Sequence, residues 1–211
     1  MVDRYLTVGR EGVHESEIKR SRFLCALAPA GSEQAAQAFI QKIRKEHPSA
    51  THNCFAYVIG AEGRIHKAGD DGEPGGTAGT PMLQVLLRRE VRDVVAVVTR
   101  YYGGVQLGAG GLVRAYGGAV SAALDELGTV ERQRLALLTV AADHQRAGKL
   151  ENDLRSAGRT VRGVRYGADV RIDIALPESE VAAFRSWVAD STSGAATVEA
   201  GGTEFVDVQA R

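Results

Sequence analysis

Apolar positions along the chain fall into short runs, period-two alternations and helical spacings, and these separate cleanly. Residues 12–18 (GVHESEI) alternate weakly and predict a strand; residues 22–28 (RFLCALA) predict a stronger one, ended by Pro29. Ser32 then opens a helix to about residue 46, with Ala36, Phe39, Ile40 and Ile43 on one face and Pro48 as its stop. Residues 53–59 (NCFAYVI) predict a strand, followed by a polar loop to about residue 75. A helix from near Pro81 to Arg89 carries Met82, Val85 and Leu86. Residues 94–101 (VVAVVTRY) are nearly continuous in β-branched residues, which predicts a strand buried on both faces. A glycine-rich turn leads into a helix from about Gly110 to Leu127, closed by Gly128.

A second series begins near Leu135. LALLTVAAD predicts a strand, residues 144–157 an amphipathic helix ended at Gly158, and residues 160–166 and 169–176 two strands of a hairpin. Pro177 opens a helix to about residue 190, carrying Val181, Phe184 and Val188, and residues 196–200 and 204–208 are strand-like. The order β-α-β-β-α-β is that of the ferredoxin-like fold. The expected class is α+β in two domains, residues 1–130 and 135–211, joined by the short polar stretch at 129–134.

Composition narrows the function classes. The 211 residues carry 26 Lys plus Arg and 26 Asp plus Glu, which excludes a strongly basic nucleic-acid binder but not a local patch. The balance holds in both parts, 15 basic against 14 acidic in residues 1–130 and 11 against 12 beyond. One local excess stands out: Arg155, Arg159, Arg162, Arg165 and Arg171 meet only Asp169 in their stretch, either a solvated edge or a weak phosphate-contacting stripe. Cys25 and Cys54 cannot make a disulfide framework. The first residues lack a signal peptide's apolar run, and no stretch nears the roughly 20 apolar residues of a membrane span. The expectation is a cytoplasmic protein with no membrane partner.

Three segments could carry chemistry. In residues 100–120 (RYYGGVQLGAGGLVRAYGGAV), Gly103 and Gly104 follow a buried strand, where a sharp turn calls for positive φ. Gly108, Gly110 and Gly111 open a helix and leave its first amides bare, a geometry that favours an anion. Gly117 and Gly118 lie within the helix, where they imply a close backbone neighbour. The spacing fits neither a dinucleotide fingerprint nor a Walker loop, so a tight packing motif is the competing reading. In residues 70–83 (DDGEPGGTAGTPML), Asp70, Asp71 and Glu73 could hold a hard cation, or cap the next helix and pair with arginine. His52 and Cys54 share one strand face, which raises a zinc site or a nucleophilic Cys54, against a rim histidine and a buried cysteine.

Those blocks, with THNCFAYV, EHP at 46–48 and KRSRF at 19–23, resemble the IMPACT family in its bacterial YigZ-like branch. The match covers nearly all of residues 15–128, and the remainder is similar to that branch's small C-terminal domain. Asn53 stands where a second histidine is common, and Thr80 where lysine is frequent. The resemblance implies an N-terminal β-α domain of two layers, like domain IV of elongation factor G and several ribosomal proteins, and a ferredoxin-like C-terminal domain. Eukaryotic relatives regulate translation through an added N-terminal domain, for which the stretch before residue 15 has no room, so their competition mechanism is not carried over.

The function expected is non-catalytic and translation-associated, with RNA, the ribosome or a translation factor as partner. Arg100, Arg114, Lys19 and Arg22 would supply charge, Tyr101 and Tyr102 would stack on bases, and Gly103, Gly104, Gly108, Gly110 and Gly111 would admit phosphate. His52, Cys54, Asp70, Asp71 and Glu73 would line a cleft. The alternative is a nucleotide or phosphorylated-ligand protein, or an enzyme, using the glycine-rich helix start and the acidic loop. A third reading is a protein-interaction module. No cofactor or metal is expected, and the sequence leaves the oligomeric state open. If the acidic loop faces the glycine-rich helix, carboxylates and phosphate would repel unless an arginine or a metal stands between them.

Overall fold

The computed structural model describes residues 2–208, which divide into two compact units at Arg132/Gln133. The first unit opens with β1 (Arg4–Thr7), a short strand whose Leu6 bridges Val91. Four residues with one alternation give too little pattern to predict it.

The main sheet of this unit contains β2 (Gly12–Ile18), β3 (Ser21–Pro29), β4 (His52–Ile59), β5 (Ile65–Gly69) and β6 (Val94–Tyr101), in the order β2-β3-β6-β4-β5. All neighbours are antiparallel. β5 lies in the stretch expected to be loop; it is a largely exposed edge strand, so burial imposes no alternation on its sequence. β6 is central. Its Val95 and Val97 enter one core with Phe39, Ile40 and Ile43 of α1 (Glu33–Glu46). Its Val94, Ala96 and Val98 enter the other core with α2 (Gly79–Arg88) and α3 (Ala109–Leu127). Helices therefore cover both faces, and α1 adds a third layer to the two implied by the resemblance. Burial on both faces is what the unbroken Val-rich run requires.

The helix ends follow local chemistry. Ser32 Oγ accepts the Ala35 amide at 3.1 Å, capping α1. Gly128, at φ 74°, closes α3. In the middle of α3, a Cβ added at Gly117 would meet Pro81 and Val85 of α2 at ordinary contact distance, 3.7 Å. The close approach expected at both glycines is therefore found at neither: a side chain would fit at Gly117, and at Gly118 an added Cβ would meet nothing within 4 Å, so nothing in the structure explains that glycine.

The second unit contains β7 (Val130–Ala142), α4 (His144–Ser156), β8 (Thr160–Tyr166), β9 (Val170–Pro177), α5 (Val181–Thr192) and β10 (Thr197–Val208). β9 lies between β7 and β8, and β10 pairs with β7, giving the ferredoxin-like order β10-β7-β9-β8. Leu138, Val140, Ile172 and Ile174 pack against Leu150, Leu154, Phe184 and Val188 of the two helices. The stretch at 129–134, expected as a polar link, belongs mostly to β7. β10 runs unbroken through Gly201-Gly202; a Cβ at Gly201 would lie 3.1 Å from the Leu137 carbonyl, so the glycine marks a close strand neighbour rather than a turn.

The arginines of the C-terminal stretch are paired, as a solvated edge would have them. Arg155 pairs with Glu151, Arg159 with Glu180, Arg162 with Glu204, Arg165 with Asp173, and Arg171 with Asp169 and Glu199. Glu151 lies on the same helix as Arg155 and Asp169 two residues from Arg171, whereas Glu180, Glu199 and Glu204 are distant in sequence and brought near by the fold. No helix among the described residues is long and apolar enough to cross a membrane.

Candidate functional site

The acidic loop and the glycine-rich helix start meet at one cleft of about 500 Å³ in the first unit. Thr51 and His52 enter it from the start of β4, Glu73 from the loop after β5, Arg100 and Tyr102 from the end of β6, and Gly108 and Ala109 from the start of α3. Three of the sequence blocks that carried the resemblance thus line a single concavity.

Arg100 stands between the acidic loop and the helix start. It is 5% exposed, and its Nη1 donates to Glu73 Oε1 at 2.6 Å. Tyr116 OH donates to the same oxygen at 2.7 Å. The guanidinium lies 5.5 Å from the Phe23 ring centroid and 5.4 Å from that of Tyr102. Its Nη2 reaches Ser21 Oγ at 3.4 Å, while Nε is buried without a hydrogen-bond partner. Arg100 is therefore no free surface cation. It neutralises Glu73 inside the wall and removes most of the carboxylate–phosphate conflict raised by the sequence.

The three carboxylates do not converge on a cation. Asp70 Oδ1 accepts the amides of Ala78 and Gly79 at 3.1 and 2.8 Å, and Oδ2 accepts that of Gly76 at 2.8 Å. Ala78, the N-cap of α2, has no side-chain oxygen, so Asp70 caps this helix from eight residues upstream. Burial would raise the Asp70 carboxyl, but these three donors outweigh it and hold it below the usual carboxylate range. Asp71 takes the Asn53 amide at 2.6 Å and pairs with Arg44 at 2.7 Å. Among the described residues no group of three His, Cys, Asp or Glu is placed to hold a metal. The helix-capping and arginine-pairing alternative is what these residues do.

His52 Nδ1 lies 2.8 Å from the Asp71 carbonyl, which can only accept, so this nitrogen carries the proton. Nε2 lies 3.8 Å from Glu73 Oε2. Cys54 is buried, donates to the Asp70 carbonyl at 2.9 Å, and has its thiol pushed up to about 12 by burial above all. A thiol so disfavoured as thiolate is a poor nucleophile, which removes the nucleophilic reading of Cys54. Asn53, at the position where histidine is common, is buried and accepts from Thr99 Oγ1 at 2.7 Å.

Gly103 and Gly104 divide the work expected of both. Only Gly104 has positive φ, 83°. A Cβ at Gly103 would sit 1.9 Å from the Arg20 carbonyl, so Gly103 admits the β2–β3 hairpin turn instead. That turn is the residue pair Lys19-Arg20, with Ile18 opposite Ser21 and positive φ at both, 48° and 65°. Glycine or asparagine is favoured at such positions; here two cations take them at a cost in strain. Lys19 shares a small depression with Gly111 and Arg114 of α3.

The other named residues separate. Lys19 and Arg114 are exposed and make no ion pair among the described residues. Arg22 pairs with Glu15 at 2.7 Å and lies over the Tyr101 ring, whose hydroxyl is 2.9 Å from His47 Nδ1. Tyr102 remains 47% exposed. Gly108 has φ 72° and gives α3 no side-chain cap, leaving the first amides of the helix bare. Sequence reasoning missed Arg20, Thr51, Gln106 and Tyr116. The short gap between the two predicted strands, residues 19–21, was the signal for Arg20; no local signal pointed to Tyr116, which looks like any apolar-face residue of a helix.

Known proteins share this arrangement of domains. The Impact N-terminal domain matches residues 19–124, and a domain of unknown function, DUF1949, matches residues 140–195. The IMPACT family member YvyE of Bacillus subtilis (strain 168) is 46% identical over 207 residues, covering 98% of this chain and 95% of YvyE. The family member YigZ of Escherichia coli (strain K12) is 43% identical over 180 residues, covering 84% and 88%. A crystal structure of a hypothetical protein superposes with a TM-score of 0.65 at 38% identity, covering 95% of this chain and 98% of the other.

Proposed function

The chain belongs to the IMPACT family, and from that premise we propose that it is a non-catalytic, translation-associated protein whose N-terminal unit holds RNA, free or in the ribosome, by its phosphates. One observation carries this reading. Lys19, Arg20 and Arg114 are exposed and make no ion pair among the described residues; Lys19 shares a depression with Gly111 and Arg114 of α3, and Arg20 packs on Gly103 just before it. Nearby acidic groups already have partners: Glu73 has Arg100 and Tyr116, and Asp70 has three amides. Bare helix amides beside unpaired cations favour an anion with several charges spread over a surface. The net charge of zero then limits binding without such a patch.

The test is sedimentation with purified ribosomal subunits across a salt series, beside a Lys19→Ala/Arg114→Ala variant. Co-sedimentation that weakens steeply with salt, and is lost in the variant, is the expected result. No binding at low salt, or binding unchanged by a several-fold rise in salt, overturns the proposal.

A further inference from the structure

The start of α3 is bare, but a helix start alone would attract any anion. The cleft beside it holds two more features that narrow the ligand. Arg100, 95% buried and part of the cleft wall, keeps a buried Nε with no partner. Tyr102 leaves 47% of its surface open in the same cleft, with its ring backed by the Arg100 guanidinium. An aromatic ring fixed from behind by a cation and open to solvent is a stacking platform, since every nucleobase has a π face. The Tyr102 amide donates to Thr51 Oγ1 at 3.0 Å, which anchors the platform's backbone to β4. Leu107 and Leu112 give the cleft an apolar side, and Gln106 and His52 give it polar groups. A volume of about 500 Å³ falls within the range of sites that enclose a small ligand.

We propose that this cleft binds one nucleotide unit, with its phosphate on the amides of Ala109, Gly110 and Gly111 and its base on Tyr102. The unit is either a free nucleoside monophosphate or an unpaired nucleotide of an RNA strand. The second source rests on the RNA-binding reading above; the first does not. Glu73, held by Arg100 and Tyr116, is already neutralised and leaves the anion site to the helix amides.

The probes are adenosine and uridine monophosphates, the two nucleosides, inorganic phosphate and a single-stranded RNA decamer, each titrated calorimetrically into the full chain. Three variants accompany them. Gly110→Asp places a carboxylate in the first turn of α3, where an added Cβ meets only Arg114 Nη1, at 3.7 Å, so the fold tolerates it while the anion site is lost. Tyr102→Ala removes the platform and Tyr102→Phe keeps it. The expected result is a monophosphate that binds at least tenfold tighter than phosphate or nucleoside alone. Tyr102→Ala weakens it about tenfold, Tyr102→Phe leaves it unchanged, and Gly110→Asp abolishes it. A decamer that competes with the monophosphate and shows the same variant profile assigns the site to RNA. A decamer that does not compete assigns it to the free nucleotide. Monophosphates that bind no better than phosphate, or that ignore Tyr102→Ala, overturn the proposal. Salt-sensitive ribosome binding retained in that case leaves the functional reading standing and removes only the nucleotide cleft. Nucleotide binding without ribosome or decamer binding does the reverse.

Discussion

Two groups of basic residues, one in each unit, are handled in opposite ways. In the C-terminal unit, five arginines that are close in sequence each find a carboxylate, some on the same helix or turn and some on another element, and all these pairs are solvent-exposed to some degree. In the N-terminal unit, one arginine is buried on one glutamate, and the cations at the nearby rim are left unpaired. The dense basic stretch in the sequence is therefore electrostatically quiet, and the sparse one is where charge remains for a partner. Local counting of charge says little about a surface, because the compensating carboxylates arrive through the fold. Burial also changes what each pair does: an exposed pair contributes little, whereas a buried pair cannot lose one member cheaply.

The largest effect expected from this contrast is at Arg100. Arg100→Ala strands Glu73 in a buried wall and is expected to destabilise the N-terminal unit by roughly 3–5 kcal/mol in denaturant unfolding. Adding Glu73→Gln to that variant is expected to recover part of the loss. A cost below about 1 kcal/mol for Arg100→Ala would show that the pair behaves like an exposed one.

Asp70→Ala is expected to cost about 2 kcal/mol, because three amides at the start of α2 lose their acceptor. The sign with pH follows from the depressed carboxyl. Its contribution is complete above the ordinary carboxylate pKa and is lost as pH falls through the lower folded value. The stability gap between Asp70→Ala and the unmodified chain should therefore narrow on acidification, as read by thermal unfolding against pH. A gap that widens in acid contradicts the capping role.

Gly110→Asp sharpens the comparison because stability and binding move apart. A carboxylate in the first turn complements the helix dipole and replaces a helical glycine, for a gain of about 0.5–1 kcal/mol. Ribosome binding should fall at the same time. A variant that loses binding because it unfolds would instead show a lower Tm.

The smallest effects belong to the C-terminal arginines. Arg162→Ala and Arg165→Ala should each change stability by no more than about 0.5–1 kcal/mol and leave ribosome binding unaltered. Loss of ribosome binding in either would restore the stripe as a contact surface.

Much of the fold was legible because burial leaves a period. The Val-rich run of β6, the one-sided face of α1 and the β-α-β-β-α-β order all follow from which side chains must leave water. β1 and β5 were not legible, since short or exposed edge strands need no alternation. β10 was read as two pieces because a glycine pair looks like a turn, whereas Gly201 answers a neighbouring carbonyl. The candidate site was legible in its segments and not in its roles. Arg100 read as a surface cation, and the structure makes it the partner of Glu73.

By itself the sequence determined most of the elements and their order, the bare glycine-rich helix start and the family, because these depend on residue periodicity, turn chemistry and motif. Only the tertiary structure decided which charges are cancelled. Arg100 meets Glu73 from 27 positions away, and Arg162 meets Glu204 from 42. Lys19 and Arg114 come together at α3 with no carboxylate between them. Coulomb interactions act through distance in space, which a linear pattern does not contain.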